Sequence, residues 1–309
     1  MSKVNIPTIL HPKIPFFVLV LEDENGNKFV QKSIKEYKIG EFIDFPPTQD
    51  KNAVAIWRVK YDFLETIEKA IDLLGKLNVS KDSKILILPT LIAPKHPYFA
   101  VNTSPQFLES LINYLESVGV KIANIKVATQ SFDEIPIEAS AQKSQLLDIC
   151  LKHKIEPLDL AKGSFVKKEV AGLSLEVSEE VFNSDLIVNA PIMKLDTQLG
   201  IRGASENVLK LLKKESYLSN KEVIVEKLQE ILSQYLTIAD ATSVQKSNSF
   251  VSYLGVVLAS YNSPNLDRVF AEIVLQKHLP EYLKKLRIGD IPIVGRKIEE
   301  IQYNFEGAH

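Results

Sequence analysis

Apolar residues recur along this chain with two alternating periods. Short, nearly continuous apolar runs appear at KILILP, NIKVATQ, SDLIVNAP, LTIAD, LGVVLAS and DIPIVG. Runs of this length predict strands buried on both faces. An earlier run, AVAIWRV at 53–59, reads the same way. Between the runs the spacing changes to that of a helix. Phe63, Ile67, Ile71 and Leu74 form one stripe, and Leu108, Leu111, Ile112 and Leu115 form another. The second has a clear start in Ser104 as N-cap with Pro105 at the first position, and Gly119 ends it. Further helices are predicted over EASAQKSQLLDICLKHK, over 219–235 behind Ser219 and Asn220, and over NLDRVFAEIVLQKHLPEYLKKL with a break at Pro280. A two-strand excursion is expected around 163–177. Alternating strands and helices predict an α/β, Rossmann-like fold, a mostly parallel sheet with helices on both faces.

The first 52 residues differ. FFVLVL and KFVQKSI flank Glu-Asn-Gly-Asn, a hairpin signal, and FPPTQDKN reads as a connector. The expected organisation is a β-rich extension over 1–52 and an α/β domain over 53–309. That domain is read as two lobes with a cleft near 188–212. The apolar run at 14–21 is short and contains Pro15, so it reads as a strand and not as a signal peptide. No stretch approaches the roughly 18 apolar residues of a membrane span.

Composition narrows the classes. Of 309 residues, 45% are hydrophobic and 25% charged, which is ordinary for a soluble globular chain. The net charge of −2 argues against a broad nucleic-acid surface. Cys150 is the only cysteine, which excludes an intramolecular disulfide framework and a self-contained four-cysteine iron–sulfur cluster. A cytoplasmic location is the natural expectation.

In open parallel sheets, ligands bind beyond the carboxyl ends of the strands. The loops at those ends therefore carry the candidate chemistry. The loop after KILILP ends at Thr103 and Ser104, where helix N–H groups favour an anion, though capping alone also explains Ser104. The segment after DLIVNAP, read as a loop, holds Lys194, Asp196, Arg202 and Asn207. A lysine just past a buried strand is open to a lowered pKa. Arg202 lies between two glycines, which let backbone approach a ligand. The competing reading is a surface loop with a weak Lys–Asp pair. Asp240, expected to end its strand in LTIAD, suits a metal, a hydroxyl or a proton, and N-capping competes. Asp267, early in a helix, also complements the macrodipole without further function. The reading assigns catalysis to Lys194, Asp196 and Asp240. It assigns ligand binding to Thr103, Ser104, Arg202, Asn207 and Asp267. Mg²⁺ on Asp196, Asp240 or Asp267 is compatible with oxygen ligands, whereas the scattered histidines argue against zinc. The dinucleotide, P-loop, nucleophile-elbow and zinc-protease motifs are all missing.

The order of these segments over about residues 53–300 resembles the domain of unknown function 362 family. The stretch ILILPTLIAP keeps Pro89, with Leu88 and Thr90 where lysine and asparagine are usual. NTSPQFLESLINYLESVGVKI resembles the family's threonine-rich loop and glycine-ended helix. In VNAPIMKLDTQLGIRGASENVLKLL, Lys194, Gly203, Ala204 and Asn207 match the central signature. Asp196 there replaces a histidine and Glu206 a lysine. The late signature is matched through Asp240 and Asp267, with VQKSNSF in place of a glycine-rich loop. Some relatives add ferredoxin-type cysteine motifs, and this chain has none. The resemblance implies an α/β fold with a cleft. The expected function is binding of an anionic small molecule, a carboxylate or phosphate, with isomerase- or lyase-type acid–base chemistry. The alternative is a non-catalytic binding or interaction protein that has lost the family's reactive groups. No nucleic-acid or membrane partner is expected. The sequence leaves the metal and the oligomeric state open.

Overall fold

The computed structural model describes residues 19–22, 28–32, 35–37, 45–60, 62–131, 135–197, 199–218, 220–232, 234–246 and 250–305. The chain divides into two units after Phe45. In the first, β1 (Leu19–Glu22), β2 (Lys28–Lys32) and β3 (Lys35–Tyr37) form an antiparallel sheet. β1 and β2 pair as the hairpin pattern predicts, from Leu19↔Gln31 to Glu22↔Lys28. The Asn-Gly turn itself lies outside the described residues.

The second unit is built on a ten-stranded mixed sheet. β4 (Val54–Arg58) is followed by α1 (Phe63–Asp72), whose apolar stripe Ile67–Ile71 is buried and whose start is capped by Asp62. β5 (Ile85–Pro89) has every residue buried, as its apolar run requires. α2 (Pro105–Ser117) begins at Ser104, whose Oγ accepts the Phe107 N–H. Gly119 takes the left-handed conformation that stops it, with φ +98°. β6 (Ile125–Thr129) follows.

The single helix expected next is two helices, α3 (Ile137–Lys143) and α4 (Leu146–Lys152). Ser144 bonds back to the Ala141 carbonyl, and Gln145 takes a left-handed φ of +64°. Serine in this position competes for the helix's backbone bonds. β7 (Leu158–Asp159) extends the sheet edge. The expected excursion is the separate hairpin of β8 (Phe165–Val170) and β9 (Leu173–Ser178), leading into α5 (Glu179–Phe182). β10 (Leu186–Ala190) returns to the centre of the sheet.

The segment after Pro191 is not a loop. It forms β11 (Ile192–Asp196), a turn, and β12 (Gly200–Arg202), and then α6 (Ala204–Val208). Pro191 has no N–H to give, but its carbonyl accepts the Asp240 N–H at 2.8 Å. The chain therefore stays on the sheet. α7 (Lys214–Tyr217), α8 (Lys221–Glu226) and α9 (Leu228–Ile231) come next. The long helix expected over 219–235 is thus two short ones, and the β-branched run Val223-Ile224-Val225 weakens the helical preference there.

β13 (Tyr235–Gln245) and β14 (Val251–Ser260) form a long antiparallel pair. Asp240 consequently lies in mid-strand, opposite Val257, and does not end its strand. The Thr242 N–H and hydroxyl both donate to its Oδ1, while among the described residues its Oδ2 has no partner. α10 (Ser263–Ile273), α11 (Glu281–Lys284) and the short β15 (Ile293–Gly295) complete the chain. The helical region ends well before Pro280, with Leu275 at φ +55°.

The strand order is β15-β4-β14-β13-β10-β5-β6-β7, with β11 beside the second half of β13 and β12 outside it. The β13–β10–β5–β6–β7 run is parallel, whereas β14 runs antiparallel to both of its neighbours, β4 and β13. Alternate residues point to opposite faces. Met193, Leu195, Ala239, Ala241, Val256 and Leu258 meet Phe270 and Val269 of α10 in one core. Leu86, Leu88 and Ile187 pack in another, with Val208, Leu209 and the β8–β9 hairpin. None of the helices among the described residues is long and apolar enough to cross a membrane.

Candidate functional site

The β11–β12 hairpin sorts its residues by face. Met193, Leu195 and Ile201 enter the core under α10. Ile192, Lys194 and Arg202 point the other way and line a cleft of about 290 Å³. Lys194 and Arg202 are direct cross-strand partners. Like charges directly opposite one another on a sheet are unfavourable. Here they are joined in the same cleft by Lys210, Lys214 and Lys221, with Glu206 the one carboxylate among the described lining residues. Thr90, Asn207 and Tyr217 complete much of the wall.

Two of these cations are buried. Lys194 is 6% exposed and donates to the Val101 carbonyl at 3.0 Å. Burial, with Arg202 nearby, lowers its pKa to about 8 against the pull of Glu206 and Asp196. Lys210 is 5% exposed, and among the described residues its Nζ has no hydrogen-bond partner. Burial first, and then the Lys194 charge, bring its pKa down to about 7. Arg202 is more open. Its Nε donates to Asp196 Oδ2 at 2.7 Å and lies 3.8 Å from Glu206. Glu206 also accepts from Lys221 at 2.8 Å.

The cleft floor is rigid because the strand ends are stitched together by buried polar groups. The Asn207 amide donates to the Leu88 carbonyl and to Asn189 Oδ1, both at 2.8 Å, and its oxygen accepts the Thr90 hydroxyl. Asn189 donates in turn to the Ala204 carbonyl and to Thr237 Oγ1. Thr103 accepts the Thr90 N–H and donates to the Ala190 carbonyl at 2.7 Å. Such a satisfied network fixes one arrangement of the groups above it.

α6 starts at Gly203, and the Ala204 and Ser205 N–H groups donate to the two oxygens of Asp267 at 2.8 and 2.9 Å. A Cβ on Gly203 would meet Asp267 Oδ1 at 2.8 Å and the Met193 side chain at 2.3 Å, so the close approach demands glycine. Gly200 is bound more tightly still. Its φ is +77°, and a Cβ would lie 1.8 Å from the His278 carbonyl oxygen. Gly200→Ala is expected to cost about 1–3 kcal/mol or more, read as a lowered thermal midpoint, by opening the β11–β12 turn.

Of the residues singled out from sequence, Lys194, Arg202 and Asn207 line the cleft. Asp196 sits at its margin, engaged by Arg202 and by the Leu199 N–H. Thr103 and Ser104 are occupied by the network and by the α2 cap. Asp240 is buried on the same face as Ile192, its lateral neighbour, but Ile192 and not Asp240 reaches the cleft. Burial raises the Asp240 pKa, opposed by Thr242 and by the Ser104 N–H. Asp267 is fully buried beneath α6. The three aspartates proposed for Mg²⁺ therefore stand at three separate places. Lys210, the most perturbed base in the cleft, was missed by sequence reasoning. Its signal was a lone lysine inside the apolar stretch VLKLL.

The family model described as domain of unknown function 362 matches residues 85–272, which include every strand and helix around this cleft. The chain belongs to that family. Lys210, about one turn beyond Glu206, brings an amine to the same cleft. No curated protein matches the chain. Among solved structures, the lactate racemase apoprotein from Thermoanaerobacterium thermosaccharolyticum is similar, with 10% identity and a TM-score of 0.43. The likeness covers 76% of this chain and 59% of that one, so the chain spans about three fifths of its length.

Proposed function

We propose that the cleft binds a small molecule carrying a carboxylate or phosphate, and that Lys194 and Lys210 move protons on it in isomerase- or lyase-type chemistry. The observation that carries this reading is the convergence of two buried lysines with Arg202 in one cavity. Uncompensated cations are costly to bury, and an anion between them relieves that cost. Arg202 offers a planar fork suited to a carboxylate or phosphate. An amine with a pKa near 7 is a proton acceptor at neutral pH, as an efficient general base should be. Lys194, more basic and held by Val101, serves as the partner acid.

A binding role without turnover is the second reading. It is favoured by Asp196, both of whose oxygens are turned to protein donors. Thermal shift with a panel of carboxylated and phosphorylated metabolites tests the anion site. A ligand at about 100 times its Kd should add roughly 2.7 kcal/mol. That gain is expected to be lost in Arg202→Ala. Deuterium exchange at the carbon next to the carboxylate of a stabilising ligand then separates the readings. Exchange that needs Lys210 supports catalysis, and stabilisation without exchange supports binding alone. A panel with no stabilising anion would overturn both.

A further inference from the structure

We propose that Lys210 is a nucleophile that condenses with the carbonyl of an oxo acid or a phosphorylated ketone, forming an imine. This rests on the anion-site reading and names the substrate class that the site takes. The argument begins with an asymmetry between the two buried lysines. Lys194 is tied to the Val101 carbonyl, whereas the Lys210 Nζ has no partner among the described residues although the residue is 5% exposed. A buried amine kept only for structure would be given an acceptor, since an unsatisfied buried donor destabilises the fold. Lys210 instead faces a cleft with Arg202 and a second cation nearby. Its backbone is held firmly, between Leu209 and Leu211, both buried in the core.

A desolvated lysine beside another cation loses its proton readily and becomes nucleophilic. The low proton affinity of Lys210 agrees with that placement. The step balances without a further reagent. The amine lone pair attacks the carbonyl carbon, and a proton passes from nitrogen to oxygen to give a carbinolamine. Loss of water leaves the imine. Once protonated, the imine draws electrons from the adjacent carbon, whose proton passes to water. Water reverses the condensation. Arg202 would hold the carboxylate or phosphate during these steps.

Borohydride trapping of the full-length protein tests this. Pyruvate and 2-oxoglutarate probe the carboxylate form, and dihydroxyacetone phosphate probes the phosphate form. The expected result is one reduced adduct per chain from at least one probe, mapped by peptide mass spectrometry to Lys210 and lost in Lys210→Met. Mapping on the wild-type chain carries the test even if the variant folds poorly. Adducts on Lys194, or spread over exposed lysines, would overturn the proposal. Stabilisation by these probes with no adduct would also overturn it and leave the anion site standing. Neither stabilisation nor adduct would remove both.

Discussion

Lys210→Met should give a protein that is more stable than the wild type at pH 6 and no longer stabilised by the cleft's anion. Lys210 is buried without a partner among the described residues, and burial holds its pKa near 7. The unfolded chain keeps this proton up to an ordinary lysine value near 10.4. Between those two pH values the unfolded state binds more protons, so wild-type stability rises with pH across the window. Below it, the folded state carries the full cost of a buried charge. Methionine fills similar space without the charge. The expected gain at pH 6 is on the order of a few kcal/mol, shrinking as the pH rises towards 10. Thermal melts of both proteins at pH 6, 8 and 10 read this directly. Equal melting at every pH would mean that the amine is better solvated than its surroundings indicate. A destabilised variant that still folds would point to a structural partner for Lys210.

Asp267→Ala is the second large effect, in the opposite direction. Asp267 accepts the two N–H groups that open α6, and the Tyr282 hydroxyl lies 3.3 Å away. The helix carries Glu206 and Asn207 and leads into Lys210, so the same carboxylate positions much of the cleft. Removing it strands two buried donors, at about 1–3 kcal/mol each, with some of that returned because a buried carboxyl group is also removed. A net loss of about 2–4 kcal/mol in chemical denaturation, together with loss of anion binding, is the expected result. Burial also lifts the Asp267 pKa to about 6 against those donors. The folded state therefore holds a proton that the unfolded chain releases near 3.9, and this group lowers stability as the pH climbs from about 4 to 6. That fall should be absent in Asp267→Ala.

The parallel half of the sheet was legible because runs such as ILILP and LIVNA are nearly continuous in apolar residues, buried at every position, and stop at prolines. The α2 start was legible from Ser104-Pro105 for the same kind of local reason. The β11–β12 hairpin was not, because Pro191 and the charges behind it look like a chain leaving the sheet. The alternation was present, with Met193, Leu195 and Ile201 inward and Ile192, Lys194 and Arg202 outward, but three residues per face are few against a proline. Asp240 misled in the same way. A carboxylate reads as a strand's end unless the chain's own Thr242 supplies its donors. Lys194, Arg202 and Asn207 were reachable because charge and glycine cluster there. Lys210 was not, since its burial depends on how the turn after α6 packs against the sheet, which no local pattern records.

The cleft's cations bear most directly on the whole reading, and calorimetric titration of the best carboxylate from the panel at pH 6 and pH 9 addresses them. The ligand's own charge is constant over that range, so the protein alone changes. Lys210 and Lys194 lose their protons near pH 7 and 8. Binding should therefore be at least about tenfold tighter at pH 6. Affinity that is equal at the two pH values in the wild type would contradict an anion site built on these lysines.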